Sequence, residues 1–215
     1  MGEIERIYVA WREKRGDRRK VFGLIERDGA GASFRYILTE EQMHDQGIKP
    51  LVDFPMGKEY TANVLDIFSL RLNNPERPDI SRYYDFWGIP ENKRGDVYYM
   101  LAHTQGLLAT DNYEFLAEYN LTDGLRFVSE ICGLSHTNIP TGTISIGEQL
   151  TWKREDGNEY DKHAVAIYKG ALKLGYVKAI HNRVFDDKKA DTLHVTVKSI
   201  EANGHLSRVF VTIEF

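Results

Sequence analysis

The chain has one cysteine, Cys132, in 215 residues. That count excludes an internal disulfide and any multi-cysteine zinc or iron–sulfur centre, and it fits a reducing compartment. In the apolar segment ICGL the thiol reads as a buried one. No apolar run reaches the roughly 18 residues needed to cross a bilayer, and the start MGEIERIYV has neither a basic leader nor an apolar signal core. A cytoplasmic protein without membrane attachment is therefore expected. A strongly basic balance is also missing: the net charge is −4, with 16 Lys and Arg against 21 Asp and Glu in residues 1–124, and 12 against 11 in residues 125–215. If a polyanion binds, the C-terminal part is its better candidate.

Catalytic signatures are absent too. There is no Gly-rich nucleotide loop, no metal-binding acidic constellation and no nucleophile elbow. His163, His181 and His194 lack the spacing of a ligand set. Ser135 and His136 beside Cys132 have no third group to position them. Asp186, Asp187 and Asp191 sit among Lys188 and Lys189 in what reads as a solvated helix end. A non-enzymatic protein without a cofactor or a metal is expected.

What is present is aromatic and β-branched residues in alternation. IERIYVAW, KVFGLIER and ASFRYIL read as three antiparallel strands with one wet face. Between the first two lies a loop, residues 12–20, carrying six cations: a solvated hairpin tip or, in the sharper reading, a phosphate-contacting loop. The GAG at 29–31 is a tight turn. From Thr39 the pattern turns helical. TANVLDIFSLRLNN puts Val64, Leu65, Ile67, Phe68 and Leu72 on one apolar face. Asp79 is placed to cap ISRYYDFWGI and Asp96 to cap DVYYMLAHTQG. The aromatics Tyr83, Tyr84, Phe86 and Trp87 surround so much of their helix that core packing is expected.

AEYNLTDG, residues 117–124, reads as a polar bridge and the domain boundary. It divides the chain into residues 1–120, an antiparallel sheet with about three helices, and residues 121–215. Beyond it only Pro140 remains of the six prolines. Six short strands follow, with one short helix around AIHNRVFDDKK, and Asn203-Gly204 joins the last two as a hairpin. A small barrel is the economical arrangement, since closure removes exposed edges. The fold class is α+β.

The most distinctive stretch is residues 152–185. Its elements are Glu155, Asp156, Asn158, Tyr160, Asp161, Ala164, Val165, Ile167, Tyr168, Gly175 and Tyr176, in that order. With FVSEICGLS before it and the final hairpin after it, this pattern resembles the HIRAN domain over residues 125–215. The resemblance implies a small β-barrel that captures the 3′-hydroxyl end of single-stranded DNA. Tyr160 would stack on the terminal base, Asp161 would accept a hydrogen bond from the hydroxyl, and Asn158 would shape the turn. Tyr176 would line the pocket, Lys178 would meet the phosphate chain, and His136 lies close to a nucleic-acid-contacting pair of the family. Lys162, Arg183, Lys153 and Arg154 are further phosphate candidates. Glu159 stands where the family often has proline, and Ser135-His136 where it has Arg-Tyr. Read from the residues alone, Tyr160 and Asp161 serve equally as a turn residue and a strand-starting cap.

Residues 4–116 resemble, through scattered apolar, Gly and Pro positions, the small N-terminal subdomain of HipA-type kinases, with no kinase core following. That resemblance implies an accessory module in a prokaryotic or phage setting. Two functions follow from the pair of resemblances. One is a binder of single-stranded DNA or DNA ends working beside a kinase-type, helicase or nuclease partner. The other is a regulatory protein-interaction subunit, of the toxin–antitoxin or defence kind, without direct DNA contact.

Overall fold

The computed structural model describes residues 2–14, 16–29 and 31–215. Contacts divide the chain into two compact units, one of Ile4–Glu118 and one of Tyr119–Phe215 with the first residues of the chain up to Glu3. The fold is α+β.

In the first unit β1 (Ile4–Trp11), β2 (Lys20–Asp28), β3 (Gly31–Tyr36) and β4 (Tyr113–Tyr119) form one sheet in the order β3-β2-β1-β4. β1, β2 and β3 are antiparallel neighbours, with Ile7 opposite Ile25 and Ile25 opposite Phe34. Ile7, Ile25 and Phe34 are all fully buried, so one apolar residue from each strand meets in a row across the sheet. β4 takes up the start of the segment expected as a polar bridge. Phe115, Leu116 and Ala117 are buried there, and burial outweighs the polar letters that follow them.

Four α-helices cross this unit, one more than expected: α1 (Glu40–Asp45), α2 (Val64–Ser69), α3 (Ile80–Trp87) and α4 (Val97–Thr104). The added helix, α1, starts at a capping box in which Thr39 accepts from the Gln42 backbone and the Gln42 side chain accepts from the Thr39 N–H. Asp96 caps α4 by accepting from the Tyr99 N–H at 3.0 Å. Asp79 stands at the start of α3 but makes no cap. Its carboxylate is taken by Arg77 at 3.0 Å, a charge-assisted pair that outcompetes a neutral N–H. Phe34, Phe54, Phe68 and Phe115 form the aromatic centre, with ring centroids 4.8–5.5 Å apart.

The basic loop is less solvated than its composition suggests. Arg12 and Arg19 both reach the buried Glu114, at 2.8 and 2.7 Å. Lys20 donates to the Gln46 carbonyl and lies 5.5 Å from the Trp11 ring centre. At least three of its cations are thus committed within the unit. Arg15 of this loop and Ala30 of the GAG turn lie outside the described residues.

The second unit is a closed barrel of β5 (Arg126–Cys132), β6 (Gln149–Arg154), β7 (Val165–Lys169), β8 (Leu172–Val177), β9 (His194–Asn203) and β10 (His205–Glu214), ordered β10-β5-β8-β7-β6-β9. Val165, Ala166, Ile167, Leu174, Val195, Val209 and Ile213 are fully buried in this unit. Burying each larger aliphatic side chain is worth about 1.5–3 kcal/mol. The β9–β10 hairpin turns at Gly204, whose φ is +74°. Closure between β5 and β8 depends on Gly175: a Cβ there would overlap the Cys132 carbonyl oxygen and lie 2.9 Å from the Ile131 methyl. The short helix expected near AIHNRVFDDKK is two 3₁₀ turns, His181–Asp186 and Ala190–Thr192. Among the described residues no helix is long and apolar enough to cross a membrane.

Candidate nucleic-acid interface

The loop between β6 and β7 carries the candidate site, and its shape follows from one asparagine. Asn158 Oδ1 accepts from the backbone N–H groups of Tyr160 and Asp161 at 2.9 and 3.1 Å, an Asx arrangement in which a side chain takes the place of a backbone carbonyl. Asn158 in turn donates to Glu155 at 3.3 Å. The loop is closed at its base by the Glu155 N–H donating to the Ala164 carbonyl at 2.8 Å.

The turn leaves Tyr160 outside: the residue is 74% exposed. An aromatic held at the tip of a turn contributes little buried area to the core. Beside it, Asp161 is anchored on both oxygens. The His163 backbone N–H donates to Oδ1 at 2.9 Å and the Asn182 amide to Oδ2 at 2.7 Å. Both donors are neutral, and each oxygen keeps lone pairs beyond the bond it accepts.

Beneath the loop a polar cluster fixes Tyr176. Its hydroxyl donates to Glu155 Oε2 at 2.8 Å, and Lys173 donates to Glu155 Oε1 and to the Tyr176 oxygen, both at 2.6 Å. The Lys173 bond, followed by those from Tyr176 and Asn158, outweighs desolvation and lowers the Glu155 pKa below the usual carboxylate range. For Lys173 desolvation pulls the other way, but the bonds to Glu155 and Tyr176 prevail and its pKa is raised. On the opposite flank Asp186 bridges Arg154 and His163, and Arg154 also reaches Asp156 at 3.1 Å.

The other candidates are scattered. Lys178, expected to meet a phosphate chain, is fully buried, with its ammonium 3.4 Å from Glu130. Arg208 pairs with the same carboxylate at 2.9 Å. A lysine committed this way is a structural ion pair, and its phosphate role is withdrawn. Lys162 and Lys153 are exposed, and Arg183 is half-buried. His136 is exposed in the 3₁₀ turn Leu134–His136; the side chain of Ser135 next to it lies outside the described ones. Arg154, engaged by two aspartates, offers little charge to a phosphate. Of the ten residues proposed from sequence, the structure groups Asn158, Tyr160, Asp161, Lys162 and Tyr176 in or beneath one loop.

Two residues that bear on this site carry no signal in the sequence. Asn182 reads as a polar residue on a short helix, yet it is 2% exposed. Ile180 reads as an apolar helix residue, yet its φ is +73° and ψ −51°, a tight three-residue turn that is strained for a β-branched side chain. Such a conformation costs about 1–3 kcal/mol and persists where its surroundings impose it. Among the described residues no group of three His, Cys, Asp or Glu is placed to hold a metal ion.

A fixed aromatic and an anchored carboxylate on the hairpin of a closed barrel are the features the sequence motif pointed to, and the motif itself can be compared with known families. Residues 124–207 match the HIRAN domain family. Two solved structures are similar to the chain. One is a protein from Lactobacillus plantarum, at 21% identity, covering 43% of this chain and 96% of that one with a TM-score of 0.33. The other is the HIRAN domain of human HLTF, at 22% identity, covering 43% of this chain and 75% of that one with a TM-score of 0.32. No curated protein matches. Nothing in these comparisons bears on the HipA-type resemblance of residues 4–116.

Proposed function

We propose that the HIRAN-matching barrel is a non-enzymatic module that captures the 3′-hydroxyl end of single-stranded DNA. The observation that carries this reading is the pairing of an exposed Tyr160 ring with an Asp161 carboxylate anchored by neutral donors, within a domain whose family is known for binding single-stranded DNA and 3′ ends. The ring stacks on the terminal base, a sequence-tolerant contact worth roughly 1–3 kcal/mol. The carboxylate accepts from the free hydroxyl and repels a phosphate in the same place. The module thereby prefers ends to continuous strand.

Few phosphates are contacted in this reading. Lys162 and Lys153 are the exposed cations nearest in sequence, and the loop itself carries Glu155, Asp156 and Glu159, of which Glu155 is balanced by Lys173 and Asp156 by Arg154. Affinity therefore comes from the end itself, and its dependence on salt is shallow, about 0.7 in log–log slope per phosphate neutralised on a single strand. The Ile4–Glu118 unit then serves to bring in a kinase-type, helicase or nuclease partner.

Fluorescence anisotropy of a labelled single strand ending in 3′-hydroxyl, against the same strand ending in 3′-phosphate, tests the proposal. Tighter binding of the hydroxyl end is expected; equal binding of both ends, or none at micromolar protein, sinks it. The acidic loop surface and the buried Lys178 favour one competing reading, a protein-interaction subunit without DNA contact. For that reading, co-purification from the host would return a stoichiometric partner and the anisotropy assay no binding.

A further inference from the structure

Asp161 owes half its anchoring to a residue from a distant part of the barrel unit. Asn182 Nδ2 donates to Asp161 Oδ2 at 2.7 Å, and the other end of that amide, Oδ1, is buried with no hydrogen-bond partner among the described residues. A buried acceptor left in this way is unfavourable. Turning the amide over would not relieve it, because its oxygen would then face a carboxylate. The amide's orientation is thus dictated by Asp161 and not by its own needs.

The backbone makes further concessions to the same contact. Ile180 is held at a positive φ, and the Asn182 N–H donates to the Lys178 carbonyl at 3.1 Å. Lys178 is itself buried against Glu130. A strained β-branched residue and an amide oxygen without a partner among the described residues thus lie two positions apart, next to the single N–H that reaches Asp161. Where several unfavourable features persist around one contact, that contact is the one the surroundings over-determine.

We infer that Asn182 is the positioning residue of end recognition: its amide fixes the plane of the Asp161 carboxylate so that the unused lone pairs face a strand's terminal hydroxyl beside the Tyr160 ring. This rests on the reading of the loop as a 3′-hydroxyl pocket. Asn182 touches no ligand. It acts through Asp161, and its loss lowers the preference for the hydroxyl end more than it lowers general strand binding.

The full chain and its Asn182→Ala and Asn182→Asp variants are measured by anisotropy on the 3′-hydroxyl and 3′-phosphate strands, with thermal unfolding followed in parallel. Asn182→Ala is expected to cut the hydroxyl-over-phosphate affinity ratio by roughly tenfold, the scale of one hydrogen bond to a charged group. Asn182→Asp sets two carboxylates at hydrogen-bond distance, which hold one proton between them. While that proton is present the new acid donates as the amide did, so the preference is kept at low pH and lost as pH rises and the pair becomes doubly charged. The ionisable groups around the pair are His163 with Asp186 and Arg154 behind it, Glu155 with Lys173 across Asn158, and His181 and Lys178 on the Asn182 side. The difference from the unaltered chain at each pH is the readout, since these groups are the same in both.

If Asn182→Ala does not fold, the pH profile of Asn182→Asp decides alone. A folded Asn182→Ala that keeps the full preference, or an Asn182→Asp profile parallel to that of the unaltered chain, overturns the assignment and leaves the pocket standing. An unaltered chain with no preference overturns the pocket and the assignment together.

Discussion

Glu114 in the sheet unit and Asp161 in the barrel unit are carboxylates secured in opposite ways. Glu114 is buried and gripped by two guanidinium groups, Arg12 and Arg19. Asp161 is half-exposed and gripped by two neutral N–H groups. The first arrangement cancels charge and leaves nothing for a ligand, so it is a stitch between a loop and a strand. The second immobilises the carboxylate without cancelling its charge. Glu130, held by Lys178 and Arg208, shows that the barrel also uses the first arrangement where only structure is required. A carboxylate held by neutral donors next to an exposed ring therefore stands out from its own domain.

The comparison can be broken first at its structural end. Glu114→Ala should destabilise the sheet unit by about 3–5 kcal/mol, because two nearly buried arginines lose their partner; a urea midpoint unchanged from that of the unaltered chain would show that the pair is not a stitch. Next, Lys178→Met should lower barrel stability by about 2–3 kcal/mol, softened by the remaining Arg208–Glu130 pair, while the salt slope of strand binding stays the same because no phosphate contact is removed. A flatter slope in that variant would return Lys178 to the interface.

Tyr160→Ala should do the reverse of these two. Strand affinity should fall by roughly ten- to hundredfold, as expected for loss of one stacking platform, while the melting temperature stays put because the ring contributes little to the core. A drop in stability with intact affinity would turn the ring into a structural element and remove the contrast. The smallest effect is expected from Glu155→Gln. The folded pKa of Glu155 is depressed, chiefly by Lys173. Its contribution to stability is therefore present above the unfolded value, about 4.3, and is lost as pH falls through the folded value. The stability gap between the unaltered chain and the variant should be under about 1 kcal/mol at neutral pH and vanish in acid, as read from denaturant melts across pH 3–7; a gap that widens in acid reverses the assignment.

Much of the fold was legible because period-two alternation records burial directly. The barrel strands, the Gly204 hairpin and β1 to β3 could all be read off that pattern. β4 could not, since only tertiary packing distinguishes FLA in a strand from FLA leading into a bridge. Asp79 misled for a related reason: a cap signature says nothing about whether Arg77 stands close enough to claim the carboxylate. Within the site, Asn158, Tyr160 and Asp161 are close in sequence and readable as a turn. Asn182 comes 21 residues after Asp161 and follows Ile180 at a positive φ, and no periodicity announces an isoleucine in that conformation. Lys178 follows a strand and so has the sequence signature of an exposed lysine, and its burial depends on Glu130 from the partner strand.

Gly175 has a consequence beyond allowing two strands to touch. At the seam where β8 meets β5, only a residue without a side chain fits against the Cys132 carbonyl. Sliding β8 by one position would bring Leu174 or Tyr176 to that point, so the barrel has a single alignment in which it can shut. A one-residue slip also turns every side chain to the other face. The same glycine therefore acts as a register stop, and by admitting one alignment it decides that the Tyr176 hydroxyl arrives on the Glu155 side, beneath the loop that holds Tyr160 and Asp161.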